Sequence, residues 1–313
     1  MPLSRRNFLQ VSAATTIATA TATSTNLTWA APSQQQALAA DNPALHLLNR
    51  LTWGARLEDV ERINAIGIEA YLDEQLNPES LDDSALDEWL DAFPLLNLSR
   101  RELYLLEDGG CGGRCGRALI NSMVLRAVHS QRQLHERMVE FWSDHFNIPS
   151  ESETGEVTVF QREVIQRNAL GSFRDLLLAS AQSPAMLYYL DNFLNEAEHP
   201  NENYARELME LHALGVDGGY TEHDVREVSR AFTGWTVHNS SDDGFFFDIT
   251  VHDTGEKSIL GHTLPIERGI EDGLHVLSIL ANHPSAARFI SYKLAVRFVS
   301  DDPPQSLIDG MAQ

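Results

Sequence analysis

From residue 41 onward, apolar side chains recur at helical spacing and almost never alternate, and that rhythm constrains the fold more than any other feature. Asp41-Asn42-Pro43 supplies an N-cap and a first-turn proline ahead of Leu45, Leu47, Leu48 and Leu51 on one helical face. A second helix over 57–66 is closed by Gly67, and a third over 68–76 stops at Asn77-Pro78. Helices are predicted over 81–93 and 99–106, and 117–148 reads as one long helix or two joined. Further helices follow at about 156–168, 171–181, 184–194, 201–215 and 221–233, the last opened by Thr221 with Asp224 three residues on. Two more, near 267–281 and 284–299, close the chain. Strand character is confined to 245–251. With a turn at Asp253-Thr254-Gly255 and a return at 258–260, it predicts one β-hairpin. The expected fold is therefore mainly α, a multi-helix domain with one small β-hairpin near residues 245–260, and no period of 20–50 residues marks a repeat array. Residues 303–313 read as the first turns of another helix without a stop signal, so the chain is expected to be truncated at its C-terminus.

The N-terminus reads as an address. Arg5-Arg6 precede Phe8-Leu9, an Ala/Thr run from Val11 to about Ala22, and small residues at Ala30-Ala31. Charged start, apolar middle and small-residue end make a signal peptide, and the arginine pair resembles a twin-arginine export signal. The expected organisation is a signal peptide over 1–31, a flexible linker over 32–41 and a single helical domain over 42–313, in a periplasmic or extracellular protein. No stretch is long and apolar enough for a permanent membrane span in the mature chain. The formal net charge is −22, and removing Arg5 and Arg6, the only charged residues in 1–31, leaves −22 − 2 = −24. Such a surface repels nucleic acid, which leaves a cell-envelope protein as the macromolecular partner to expect.

Three clusters of polar residues are candidates for chemistry. The first is 201–215, NENYARELMELHALG. On an uninterrupted α-helix Asn203, Glu207, Glu210 and Leu214 share one face, Tyr204, Leu208, Leu211 and Gly215 form the core stripe, and Arg206 partners Glu210. Glu207 and Glu210 with a histidine are half of a divalent-metal site, and His145, Glu207, Glu210 and His212 are the candidate ligands. The alternative is a structural network of ion pairs. His212 turns away from the glutamates on that helix, so His145 is the histidine expected to face them. The second cluster is Phe141-Trp142-Ser143-Asp144-His145-Phe146, where His145 lies on the apolar face with Leu134, Met138, Phe141 and Trp142. The third is His252-Asp253 with Glu256-Lys257 behind, either a phosphohydrolase-like pair or a turn in which aspartate serves the backbone. Cys111 and Cys115, the two cysteines, are expected to form a disulfide in an exported protein. No phosphate-binding glycine loop, Gly-x-Ser-x-Gly elbow or His-Glu-x-x-His motif occurs. Two function classes follow: a binder of a metal or small cofactor with hydrolase-like chemistry, or a non-enzymatic envelope binding or assembly protein.

Four separated blocks, Leu47 to Gly54, Met138 to Phe146, Asn201 to Trp235 and His252 to Lys257, together resemble the bacterial family catalogued as domain of unknown function 1800. The resemblance runs from about residue 43 to the end, and the third block is its most specific part. It implies an exported protein longer than this chain. It supplies no reaction and no catalytic residues.

Overall fold

Pro43 opens α1 (Pro43–Leu51), which buries Leu48 and Leu51. Gly67 closes α2 (Leu57–Ile66) by donating its N–H to the Ile63 carbonyl, and α3 (Ile68–Leu76) starts directly after it. Its φ of +87° is a conformation that only glycine adopts without steric cost. The computed structural model describes residues 42–106, 111, 113–149, 154–238 and 244–313, so the export segment with Arg5 and Arg6 and the linker lie outside the described residues. Then come α4 (Ser84–Leu90) and α5 (Arg100–Tyr104), the latter started by a Ser99/Glu102 capping box. The long apolar stretch is two helices, α6 (Gly113–His129) and α7 (Gln133–His145). Between them the buried Asp83 carboxylate accepts hydrogen bonds from the Ser130 hydroxyl and the Gln131 N–H, both at 2.6 Å, and so holds the break. Cys111 and Cys115 are disulfide-bonded across the start of α6, with Cα atoms 5.5 Å apart.

The middle of the chain holds α8 (Thr154–Val159), α9 (Phe173–Ala181), α10 (Pro184–Tyr189), α11 (Glu202–Glu207) and α12 (Glu222–Ala231). Both α8 and α11 continue into wider π-helical segments, Phe160–Gln166 and Leu208–Ala213. Thr221 and Asp224 form the expected capping box on α12. The last helices are α13 (Glu271–Ala281), α14 (Pro284–Phe298) and α15 (Gln305–Met311). Fifteen α-helices and four three-residue strands among the described residues make the class mainly α.

The strands pair differently from the single hairpin expected. β1 (Trp235–Val237) pairs antiparallel with β2 (Phe245–Phe247), and β3 (Lys257–Ile259) with β4 (His262–Leu264). Asp248 caps a short 3₁₀ turn at Ile249–Val251, which ends β2 before it reaches the predicted return. β3 instead folds back on β4 through Leu260 and Gly261, both at positive φ, as a two-residue hairpin turn of type I′ requires. Trp235 is fully buried against Phe232 and Phe245. At Gly273 on α13 a β-carbon would come within 2.5 Å of its indole, so the helix approaches the tryptophan only because that position has no side chain. Residues Pro43–Gln313 form one compact unit. No helix among the described residues is long and apolar enough to cross a membrane.

Candidate functional site: a histidine pair beside a cationic cleft

Asn201 caps α11 by accepting from the Asn203 N–H, and Asn203 donates its side-chain amide to the Leu190 carbonyl. Arg206 grips Glu222 with two hydrogen bonds of 2.7 and 2.8 Å and Glu202 with a third of 3.1 Å, so its partners are not Glu210. The expected face of the helix holds only through Leu208. Beyond it the chain is π-helical, each turn takes in an extra residue, and positions shift around the axis. Leu211, predicted as core, is 46 % exposed, while His212 and Ala213 turn inward. Glu207 and Glu210 are half-buried. Glu210 lies near Tyr220, whose phenol is pushed up first by burial and then by that carboxylate.

The same shift brings His212, not the glutamates, to His145. Both histidines are 5 % exposed, and their ring centroids are 6.3 Å apart among Phe146, Phe173 and Phe289. His145 Nε2 lies 2.9 Å from the His212 carbonyl oxygen. A carbonyl only accepts, so Nε2 carries the proton and Nδ1 offers a lone pair. Lys293 fills that position, its ammonium donating to Nδ1 at 2.7 Å. The Lys293 ammonium also lies 5.3 Å from the Phe289 ring centroid and 5.9 Å from that of Phe141. Burial, reinforced by the Lys293 charge, pushes both histidines down to about 3, so each is neutral at pH 7. Burial likewise lowers the Lys293 ammonium below its ordinary value, against the opposing charge of Asp144.

With one ring nitrogen donating and the other accepting from Lys293, His145 has no lone pair left for a metal ion. Among the described residues no group of three or more His, Cys, Asp or Glu side chains is placed to hold one. Of the four candidate ligands, the structure therefore joins His145 with His212, and Glu207 and Glu210 complete no metal set with them.

Lys293 also lines a cleft of about 660 Å³ between α1, α7 and α14. Its walls carry Arg50 from α1, Arg137, Phe141 and Asp144 from α7, and Lys293 and Arg297 from α14. Arg50 pairs with Asp301 at 3.1 Å, but that carboxylate is almost fully exposed and holds it weakly. Arg137 and Arg297 converge on the single carboxylate of Glu140, and Arg137 stacks over Trp53 with its guanidinium 4.7 Å from the ring centroid. The Nε groups of both arginines are buried and have no hydrogen-bond acceptor among the described residues. Four cations line the cleft against three carboxylates, Asp144 and Asp301 in its wall and Glu140 shared by two of the arginines, in a chain whose net charge is −22.

The His252-Asp253 pair sits elsewhere, in a buried ion network. Lys257 and Asp272 are each 1 % exposed and form an ion pair of 2.8 Å. Asp253 takes a two-pronged grip from Arg230, which also holds Glu227. His252 Nδ1 bonds to the Thr233 carbonyl, and its Nε2 lies 3.5 Å from Asp272. Together these contacts clasp the segment 252–258 to α12 and α13.

Sequence reasoning did not single out Lys293 or the arginines of the cleft. The available signal was composition: the chain has 21 arginines and two lysines, Lys257 and Lys293, and both lysines point inward. A family model described as protein of unknown function, DUF1800, matches residues 46–313. No curated protein and no solved structure matches the chain.

Proposed function

We propose, for a chain that belongs to the DUF1800 family of proteins of unknown function, that the mature protein binds a small organic anion in the cleft between α1, α7 and α14. The carrying observation is the reversal of charge: three arginines and a lysine gather around a ligand-sized cavity in a strongly acidic chain. A guanidinium matches a carboxylate in plane and in spacing, and Arg137 and Arg297 share the single carboxylate of Glu140, which leaves positive charge for a bound anion to offset. Phe141, Tyr292 and Val296 supply the apolar wall that an organic ligand needs. The work is placed in the cell envelope, after export through the twin-arginine route, on the strength of Arg5-Arg6 and the apolar run behind them.

Titration calorimetry of the mature protein with pyruvate, succinate and inorganic phosphate tests the binding. At least one is expected to bind, more weakly as salt is added, and to raise the unfolding temperature. Failure of all three to bind, or binding unchanged in a folded R137A/R297A variant, would refute the site. Export is tested separately with a reporter fused behind residues 1–41. It should reach the periplasm only in cells with a working twin-arginine translocase, and R5K/R6K should hold it inside. Export that ignores both changes rules the route out.

A further inference from the structure

The chain carries 21 arginines against two lysines. Of the two lysines, Lys257 is fully engaged, its ammonium bound by Asp272 and by the carbonyls of Asp253 and Gly255. Lys293 is not. Its hydrogen bond goes to a neutral ring nitrogen instead of a carboxylate, aromatic faces lie beside it, and it borders the cleft. Arginine at this position would hold an anion equally well but is never deprotonated, whereas a desolvated lysine reaches its neutral, nucleophilic form. His145 is in turn locked by the His212 carbonyl so that its lone pair, not its N–H, faces the amine. The groups facing Lys293 are thus His145 and Asp144 from α7, His212 from the π-helical segment and Phe289 from its own helix.

We infer that Lys293 is an amine nucleophile that condenses with a small carbonyl compound bearing a carboxylate, an oxo acid, held in the cleft by Arg137 and Arg297. The inference rests on the anion-binding reading above. The Lys293 ammonium loses a proton to water in the cleft, and its lone pair forms a bond to the carbonyl carbon as the C=O π pair moves onto oxygen. That oxygen is protonated and leaves as water while nitrogen forms the C=N bond. Amine and carbonyl give imine and water, with no oxidant or reductant consumed. The Nδ1 lone pair of His145 holds an N–H of Lys293 and so aims the amine.

The mature wild-type protein is incubated with pyruvate or glyoxylate and sodium cyanoborohydride, which reduces an imine to a stable secondary amine, and is then mapped by peptide mass spectrometry. With two lysines in the chain and Lys257 buried in its ion pair, background is confined to the N-terminal amine. The expected result is one carboxyethyl or carboxymethyl group per chain on Lys293, slowed by succinate, and absent in a K293R variant that unfolds at the wild-type temperature. If calorimetry shows either oxo acid binding but Lys293 stays unmodified, or only Lys257 or the N-terminus is labelled, condensation is wrong and the anion site stands. If neither oxo acid binds and no adduct forms while succinate or phosphate binds, condensation is wrong and the anion site stands; if none of them binds, both readings fall.

Discussion

Acidification from pH 7 to pH 5 should remove a large part of this protein's stability through His145 and His212. Burial and the Lys293 charge push both down to about 3 from an ordinary 6.5. The unfolded chain therefore takes up protons below pH 6.5 that the folded chain refuses. The contribution is fully present above 6.5 and is lost as pH falls, with the window closing near 3. Each histidine costs about 1.4 kcal/mol per pH unit inside that window, so about 2 kcal/mol is lost per histidine by pH 5. Any folded value well below 5 gives nearly the same loss over this range, because down to pH 5 the slope is set by the unfolded state. Two histidines together cost about 4 kcal/mol, against a global stability of roughly 5–15 kcal/mol. Carboxylates do not mimic the effect: Asp253, held low by Arg230 despite its burial, loses its contribution only as pH falls below the ordinary carboxylate range. Urea unfolding at pH 7, 6 and 5 reads the loss. H145Q isolates it, since glutamine keeps a donor for the His212 carbonyl and an acceptor for Lys293 but does not titrate. The variant should be less stable at pH 7 yet lose only about half as much on going to pH 5. Equal losses in the two proteins would mean that His145 takes up a proton in place, and the burial argument would fail.

The ion network under β3 makes a second prediction. D272N leaves the Lys257 ammonium buried without its carboxylate and should cost about 3–5 kcal/mol in urea unfolding, with much of that returned when K257M is added. A loss below about 1 kcal/mol would show the ammonium finding water instead. C111S/C115S opens a loop of five residues and should lower stability by about 2 kcal/mol, read as a fall in unfolding temperature that reductant reproduces in the wild type. Wild-type protein insensitive to reductant, with the disulfide shown to be broken, would contradict that estimate.

Helix boundaries were legible where the signal is local. Pro43, Gly67 and the Thr221/Asp224 box each act within a few residues, and each sits where the sequence places it. Strand pairing was not, because it depends on segments far apart: Phe245 to Phe247 carry clear strand character, but only the folded chain decides between a partner before and one after them. The Asp248 cap and the positive φ at Leu260 settle it, and an unremarkable leucine gives no warning of the latter. The π-helical segment at 208–213 was equally hidden. Its residues, Leu-Met-Glu-Leu-His-Ala, are ordinary helix formers, and the widened turn answers to the helices packed around it.

That widened turn decides the chemistry of the cleft. The last carbonyls of any helix lack an intrahelical partner, and the carbonyl of His212, at the end of the π-helical segment, is such a group. It takes its hydrogen bond from His145, and this fixes which ring nitrogen carries the proton. The remaining lone pair then determines how Lys293 is held. An α-helical register through 208–213 would carry this carbonyl around the axis, free the His145 N–H to face Lys293, and turn an acceptor into a second donor against an ammonium. The glutamates of NENYARELMELHALG are therefore the lesser part of that stretch. Its contribution to the site is a backbone carbonyl, the one kind of functional group that a list of side chains does not display.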